Sequence, residues 1–259
     1  KLYLAINAIE GTKATLGGAY LNSIISDFNA EIRSMWPSAA QVADVPQLSV
    51  VSSYWYNIFM NYNLYIVPAI LVTLVTAMGV MQAAFNIVRE KETGTIEQIN
   101  VTPIKKHIFI LGKLIPFLVL AIVVFTLGLL IAWVLYRVIP VGSILVLYFA
   151  LVVYLFATLG LGLLISTYSS TQQQAMSLSF FFINIFNMMS GVFNSVDSMP
   201  QWAKTIVETF PPSHFIKIMR MVVLKGSGLT DVVYHLTAIA LIGLVLNTWA
   251  ILNYRKTVG

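Results

Sequence analysis

Between Arg89 and Gln98 the chain sets Arg89, Glu90, Lys91, Glu92, Thr93, Gly94, Thr95 and Glu97 almost without interruption. Cations, carboxylates and hydroxyls at this density make charge-assisted hydrogen bonds, the strong kind, and they suit a surface gripped by another protein. The stretch lies between two apolar runs, Asn61–Val88 and Leu114–Tyr136, and neither run holds a charged residue. Each is long enough to cross a bilayer, which takes roughly 20 apolar residues as a helix. An ordinary cytoplasmic loop is the plainer reading of the island. Glu90, Glu92 and Glu97 weigh against it, because Lys and Arg set membrane orientation and acids are not called for.

Local signals give the island a shape. Thr95 and Gln98 fit a capping box, Gly94 suits the break from the incoming helix, and Thr102 precedes Pro103, where a helix should end. The expectation is a short helix, Ile96–Val101, with Ile96 and Ile99 on one flank and Glu97 exposed. A second polar pattern is Asn184, Asn187 and Ser190, spaced three apart among phenylalanines and methionines. Polar groups in lipid are costly, so these should face the bundle or a cavity. They would line a substrate path with an adaptable apolar wall, or else bond one helix to another. Thr73, Thr76, Gln82 and Asn86 carry the same pair of readings. Gly160 and Gly162 are expected to let helices approach closely.

Other chemistries find no support. His107, His214 and His235 are scattered without metal-site spacing, and Gly11-Thr12-Lys13 lacks the rest of a phosphate loop, so neither a metal nor ATP hydrolysis is expected here. The sequence has no cysteine, which excludes disulfides and thiol catalysis. The apolar runs have no acidic residue to relay protons.

These residues must be held by helices in a membrane. Hydrophobic residues make up 58% of the chain and charged ones 10%, with a mean hydropathy of +0.84. Soluble domains carry about 25% charged residues, so an all-α, polytopic membrane bundle is the expected fold class. The net charge of +5 comes largely from residues beside the spans, where they meet lipid headgroups, and no nucleic-acid partner is needed. Five spans are expected: Leu64–Val88 (with Pro68 near its outer end), Leu114–Leu135, Ser143–Ser166, Ala175–Phe193 and Val233–Asn253. Arg89, Lys91, Lys105, Lys106 and Lys113 lie between the first two, and Arg255 and Lys256 follow the last. Both regions should therefore be cytoplasmic, which puts residues 1–60 and 197–232 outside, although Arg137, Lys204, Lys217, Arg220 and Lys225 are on that side too.

Residues 1–60 read as an extracytoplasmic segment preceding a transmembrane domain, 61–259. Ile25, Phe28, Ile32 and Met35 recur at helical spacing there, and Tyr54, Trp55 and Tyr56 form an interfacial cluster. The start at Lys1 suggests the C-terminal part of a longer subunit. In 197–232, Ser198 is expected to cap a helix with Pro200 in its first turn. Trp202, Ile206 and Phe210 share its apolar face, and Pro211-Pro212 stops it. Such a helix, within 198–216, would lie against the outer leaflet or the mouth of the bundle.

The sequence REKETGTIEQINVTPI (Arg89–Ile104) resembles the cytoplasmic coupling segment of ABC-2-type transporter permeases. LGLLISTYSSTQQQAMSLSFF (Leu161–Phe181), SMPQWAKTIVETFPPSHF (Ser198–Phe215) and IMRMVVLKGSGL (Ile218–Leu229) resemble further stretches of that family, in the same order. Ser170 departs from it, standing where a basic residue is common. The resemblance implies a six-span subunit, with one span upstream, in a homo- or heterodimer of permeases served by two cytoplasmic ATPase subunits. ATP and Mg would sit on those partners, and this chain would hold no cofactor. Glu90, Glu92, Thr93, Gly94, Thr95 and Glu97 would belong to the ATPase-facing element. The external segment resembles the multidrug-exporter branch, often paired with a periplasmic adaptor.

The reading that joins these observations is an exporter permease for an amphipathic or hydrophobic substrate, placed in the bacterial inner membrane. A passive channel or a non-transporting scaffold is the alternative, and a channel lacks filter-like groups here. A membrane-embedded enzyme would call for a nucleophile and base near a span end, and none is evident.

Overall fold

The computed structural model describes residues 11–35, 62–95, 106–193, 196 and 199–253. The chain divides into two compact units, Lys1–Met60 and Asn61–Gly259. In the first, α1 (Gly11–Met35) is an amphipathic helix with Leu21, Ile25 and Ile32 half-buried and Leu16, Tyr20, Ile24 and Phe28 outward. The aromatic cluster at 54–56, the helix expected at Ile96–Val101, Glu97, Gln98 and Ser198 all lie outside the described residues.

The second unit holds α2 (Tyr62–Glu92), α3 (Lys106–Tyr136), α4 (Ile144–Tyr168), α5 (Gln172–Met189), α6 (Gln201–Val207), α7 (Pro211–Lys225) and α8 (Leu229–Asn253). No strand occurs among the described residues. Helices α2, α4 and α8, and α3 from Gly112 onward, are long and apolar enough to cross a membrane. Helix α5 is not among them. It has 18 residues, opens on three glutamines and ends at Met189 rather than Phe193. At about 1.5 Å per residue it still rises about 27 Å, close to a hydrocarbon core of about 30 Å.

Helices α2 and α4 form the hub. α2 packs against α3, α4, α5 and α7, and α4 makes its most extensive contact with α8. Small residues set these approaches. A Cβ on Gly162 would overlap the Val80 carbonyl and Ala83, one on Gly79 would overlap Thr158, and one on Gly160 would overlap Asn247. The close approach expected at Gly160 and Gly162 is thus what the bundle uses, toward α8 and α2 respectively. On α8 the buried residues Val232, Leu236, Ile239, Gly243, Asn247 and Ala250 recur at helical spacing and form one stripe. Asn247 donates to the carbonyls of Phe156 (2.9 Å) and Gly243 (2.8 Å), which satisfies a buried amide in an apolar seam.

The helix of the first expected span runs on past Val88: α2 continues to Glu92, because Arg, Glu and Lys are good helix formers and nothing there interrupts the backbone. The break comes at Gly94, which takes φ 72, a conformation open to glycine at little steric cost. Its N–H reaches the Lys91 carbonyl at 3.2 Å.

One expectation is corrected: 198–216 is two helices rather than one. Pro200 is the N-cap of α6, not part of its first turn; that helix already ends at Val207 with Glu208 as its C-cap, and Pro211-Pro212 begins the next. The buried face of α6 is Ala203 and Val207, while Trp202 and Ile206 point outward. Phe210 turns away from that face and meets the Phe186 ring at 4.9 Å. Helix α7 does not lie on the surface. Most of its residues are buried against α2, α4 and α8, and Phe215 stacks on Tyr154 in the middle of α4, with centroids 4.2 Å apart and planes within 9°. Proline at the first helical positions removes N–H groups that would have lacked partners, which makes this buried start tolerable. At its far end, Val141 and Gly142 of the α3–α4 turn donate to the Val223 and Val222 carbonyls (3.1 and 3.0 Å).

Candidate functional site

The charged tail of α2 is where three helix ends meet. Lys113 of α3 donates from Nζ to Glu90 Oε1, and Glu90 is 16% exposed. Lys91 donates from Nζ to the carbonyls of Ser166 and, at 3.3 Å, Ser169, at the end of α4. Glu92 accepts the backbone N–H of Gln172 at 2.8 Å and also that residue's side-chain amide, at the start of α5. Thr93 donates to the Arg89 carbonyl (3.0 Å) and Thr95 to the Glu90 carbonyl (3.2 Å), so both hydroxyls close off the C-terminus of α2. Thr93 and Gly94 face outward.

The carboxylates singled out for a partner surface, Glu90 and Glu92, therefore have partners inside the chain. The capping box expected at Thr95 finds a counterpart elsewhere. Thr171 accepts from the Gln174 N–H (3.2 Å), and Gln174 Oε1 accepts from the N–H and hydroxyl of Ser170 (3.0 and 3.1 Å). The Thr-x-x-Gln pattern at 171–174 would have located the start of α5.

Of the expected path residues, Thr73 and Asn187 are brought together, while Asn184, Ser190 and Thr76 lie apart in other contacts. Thr73 donates to Asn187 Oδ1 at 3.0 Å and joins α2 to α5. Thr76 donates to the Val72 carbonyl (2.6 Å) and lies 2.5 Å from the Tyr154 hydroxyl, in a wholly buried contact between α2 and α4. Asn184 faces outward and returns its amide to the Phe180 carbonyl at 2.8 Å. Ser190 caps α5 and is buried, with no partner for its hydroxyl. Thr73, Thr76 and Asn187 bond helices together, while Asn184 sits on an outward stripe of α5 with Gln173, Ser177 and Phe180. A cavity of about 240 Å³ opens on the other side of α5, lined by Leu161, Phe182, Phe186, Phe210, Pro211 and Leu246 among others.

The chain matches the model of the ABC-2 family transporter proteins over residues 2–252. It belongs to the ABC-2 family. The probable multidrug ABC transporter permease YbhR of Escherichia coli K12 is 31% identical over 236 residues, covering 90% of this chain and 62% of YbhR. The probable multidrug ABC transporter permease YbhS of the same strain is 30% identical over 185 residues, 70% of this chain and 48% of YbhS. The inner membrane transport permease YhhJ, also from that strain, is 25% identical over 255 residues, 98% of this chain and 67% of YhhJ. The chain thus spans less than two thirds of the length of YbhR and YbhS.

For an ABC-2 chain of this kind, the structure also brings forward residues that sequence patterns did not mark as a site. Arg220 on α7 lies over the Tyr65 ring, 3.8 Å from its centroid, and donates to the Gly191 carbonyl at 2.9 Å. This places a cation at the C-terminal end of α5, where the helix dipole favours it. His214 and His235 meet Nδ1 to Nδ1 at 3.0 Å, and His214 Nε2 lies 2.8 Å from the Glu208 carbonyl. A carbonyl only accepts, so neutral His214 carries its proton on Nε2, and its Nδ1 accepts a hydrogen bond from His235 Nδ1–H. Burial holds His214 below the usual histidine range and the Lys217 charge adds to this, against the pull of the Glu208 carbonyl.

Proposed function

We propose that this chain is the membrane-spanning part of an ABC-2 exporter permease that moves an amphipathic or hydrophobic substrate outward, driven by separate ATPase subunits. The observation that carries this reading is the tail of α2. It binds three neighbouring helix ends and leaves Thr93-Gly94 outward beside the segment that continues from Thr95. A push on that segment would be felt by several spans at once, which suits rigid-body rocking between inward and outward access. ATP and Mg would then be held by the partner ATPase subunits.

In this reading α2, α3, α4, α5 and α8 are the five spans, with the α2–α3 connection cytoplasmic and residues 1–60 and 197–232 extracytoplasmic. The outward stripe of α5 is the natural face for a second permease subunit or for the cargo. The names of YbhR and YbhS support a multidrug branch and that of YhhJ an inner-membrane location. A periplasmic adaptor would meet the external segment. The test is co-expression with the cognate ATPase, purification, and reconstitution in proteoliposomes. Co-purification and hydrolysis that depends on the permease are expected. A permease that recruits no ATPase, or passes ions without nucleotide, would overturn the reading.

A further inference from the structure

Lys91 and Glu92 are adjacent, opposite in charge, and engaged with the two sides of one turn. Lys91 takes carbonyls at the end of α4, Ser166 and Ser169, and Glu92 takes the first N–H of α5 at Gln172. A helix leaves its last carbonyls and first N–H groups without internal partners. Its dipole also places negative partial charge at the C-terminus and positive at the N-terminus. Each of the two side chains therefore meets the helix end that its own charge favours. The contact is specific to the turn, because exchanging the two charges would oppose both ends.

We propose that the Lys91-Glu92 pair is the positioning element that carries motion of the ATPase-facing segment to α5. This rests on the exporter reading and names the residues through which it acts. Helix α2 is continuous through Glu92, and Gly94 follows as the break, so displacement of the segment beyond Gly94 reaches a stiff lever first. Glu92 then pulls or pushes the start of α5 through Gln172, while Lys91 holds the end of α4 in register. Glu90 differs, since its tie runs to Lys113 on α3, most of whose span faces outward. The motion therefore divides. One tie reaches the outer helix, and the Lys91-Glu92 tie reaches the helix that bears Asn184.

The experiment uses the permease assembled with its ATPase subunits, and exploits a sequence with no cysteine. Asn184→Cys supplies one reporter on the outward face of α5, and its labelling rate with a small maleimide is compared between apo and ATP-vanadate states. The labelling rate is expected to change with nucleotide. In complexes that retain the ATPase, adding Glu92→Ala should abolish that change, and loss of the ATPase from this variant alone would overturn the proposal in favour of a direct contact. Glu92→Gln, whose amide oxygen can still accept the Gln172 N–H, should keep most of it, and Lys204→Ala on α6 should leave it intact. A merely structural tie predicts otherwise: Glu92→Ala would lower thermal stability yet preserve the nucleotide-dependent labelling. That result, or a labelling rate indifferent to nucleotide in the parent, overturns the proposal. Failure of the ATPase to bind the parent at all would instead overturn the exporter reading.

Discussion

The Tyr154 hydroxyl lies 2.5 Å from Thr76 Oγ1, where α4 crosses α2, and both side chains are sealed from the outside. Thr76 uses its one proton on the Val72 carbonyl, so Tyr154 is the donor. Tyr154→Phe should cost about 1 kcal/mol, because Thr76 keeps its backbone bond and hydrogen bonds between membrane helices are individually modest. Tyr154→Ala also removes the stack on Phe215 and leaves a void, so about 3–5 kcal/mol is expected. Thermal unfolding in detergent measures both. Equal losses would show that the hydroxyl, not the ring, dominates.

The Glu90–Lys113 tie should behave asymmetrically. Lys113 is 34% exposed and Glu90 16%, with Glu90 Oε2 buried and unpartnered. Lys113→Met leaves the carboxylate without its cation and should cost about 1–3 kcal/mol. Adding Glu90→Gln should recover part of that loss. A double-mutant cycle reads the coupling, and strict additivity would show that the tie contributes nothing.

Acid should loosen the contact between α7 and α8. The His214 pKa is lowered in the folded protein, so its neutral form is favoured there, and the unfolded chain takes up a proton first as pH falls. The stability it contributes is complete above the unfolded value of about 6.5 and is lost as pH falls toward and through the lower folded value. Once protonated, His214 would present N–H to His235 Nδ1–H, with Lys217 adding repulsion and Glu208 and Tyr234 the other titratable groups close by. A melting series from about pH 8 to pH 5 should show the decline, and His214→Gln should flatten it. An unchanged slope would rule His214 out as its source.

Two glycines should respond oppositely to the same change. Gly162→Ala places a methyl against the Val80 carbonyl and should destabilise by about 1–3 kcal/mol. Gly112→Ala, on α3, meets nothing within 4 Å and should stabilise by about 0.5–1 kcal/mol through helix propensity. Melting temperatures of the two variants decide it.

What was legible in the sequence was what a single helix declares about itself. Long uncharged runs announced α2, α3, α4 and α8, Gly94 announced the break, and Gly160 and Gly162 announced close packing. What was not legible depended on which faces meet. Nothing in a sequence pairs Glu92 with Gln172 or Thr73 with Asn187, because both contacts join separate helices. The apolar periodicity at Trp202 and Ile206 was real, yet the buried side of α6 is Ala203 and Val207, since burial is decided by the neighbour's shape as well as by hydrophobicity. Helix α7 was not foreseen, because Pro211-Pro212 read only as the stop of the preceding helix; bonds such as those of Arg220 to Gly191 and His214 to Glu208 satisfy its polar groups inside the bundle.

That burial has a consequence for how the molecule is made. α7 has 15 residues and carries Lys217, Arg220 and Lys225, too short and too cationic to enter the bilayer as a span of its own. The crevice that receives it is built by α2, α4 and α8, and α8 follows it in the chain. Its docking must therefore be among the last steps of biogenesis, after the final span has been threaded. Pulse-chase proteolysis of the nascent chain should find Lys217 and Arg220 open to cleavage until α8 is in place and protected afterwards. Protection acquired before α8 has emerged would reverse that order of assembly.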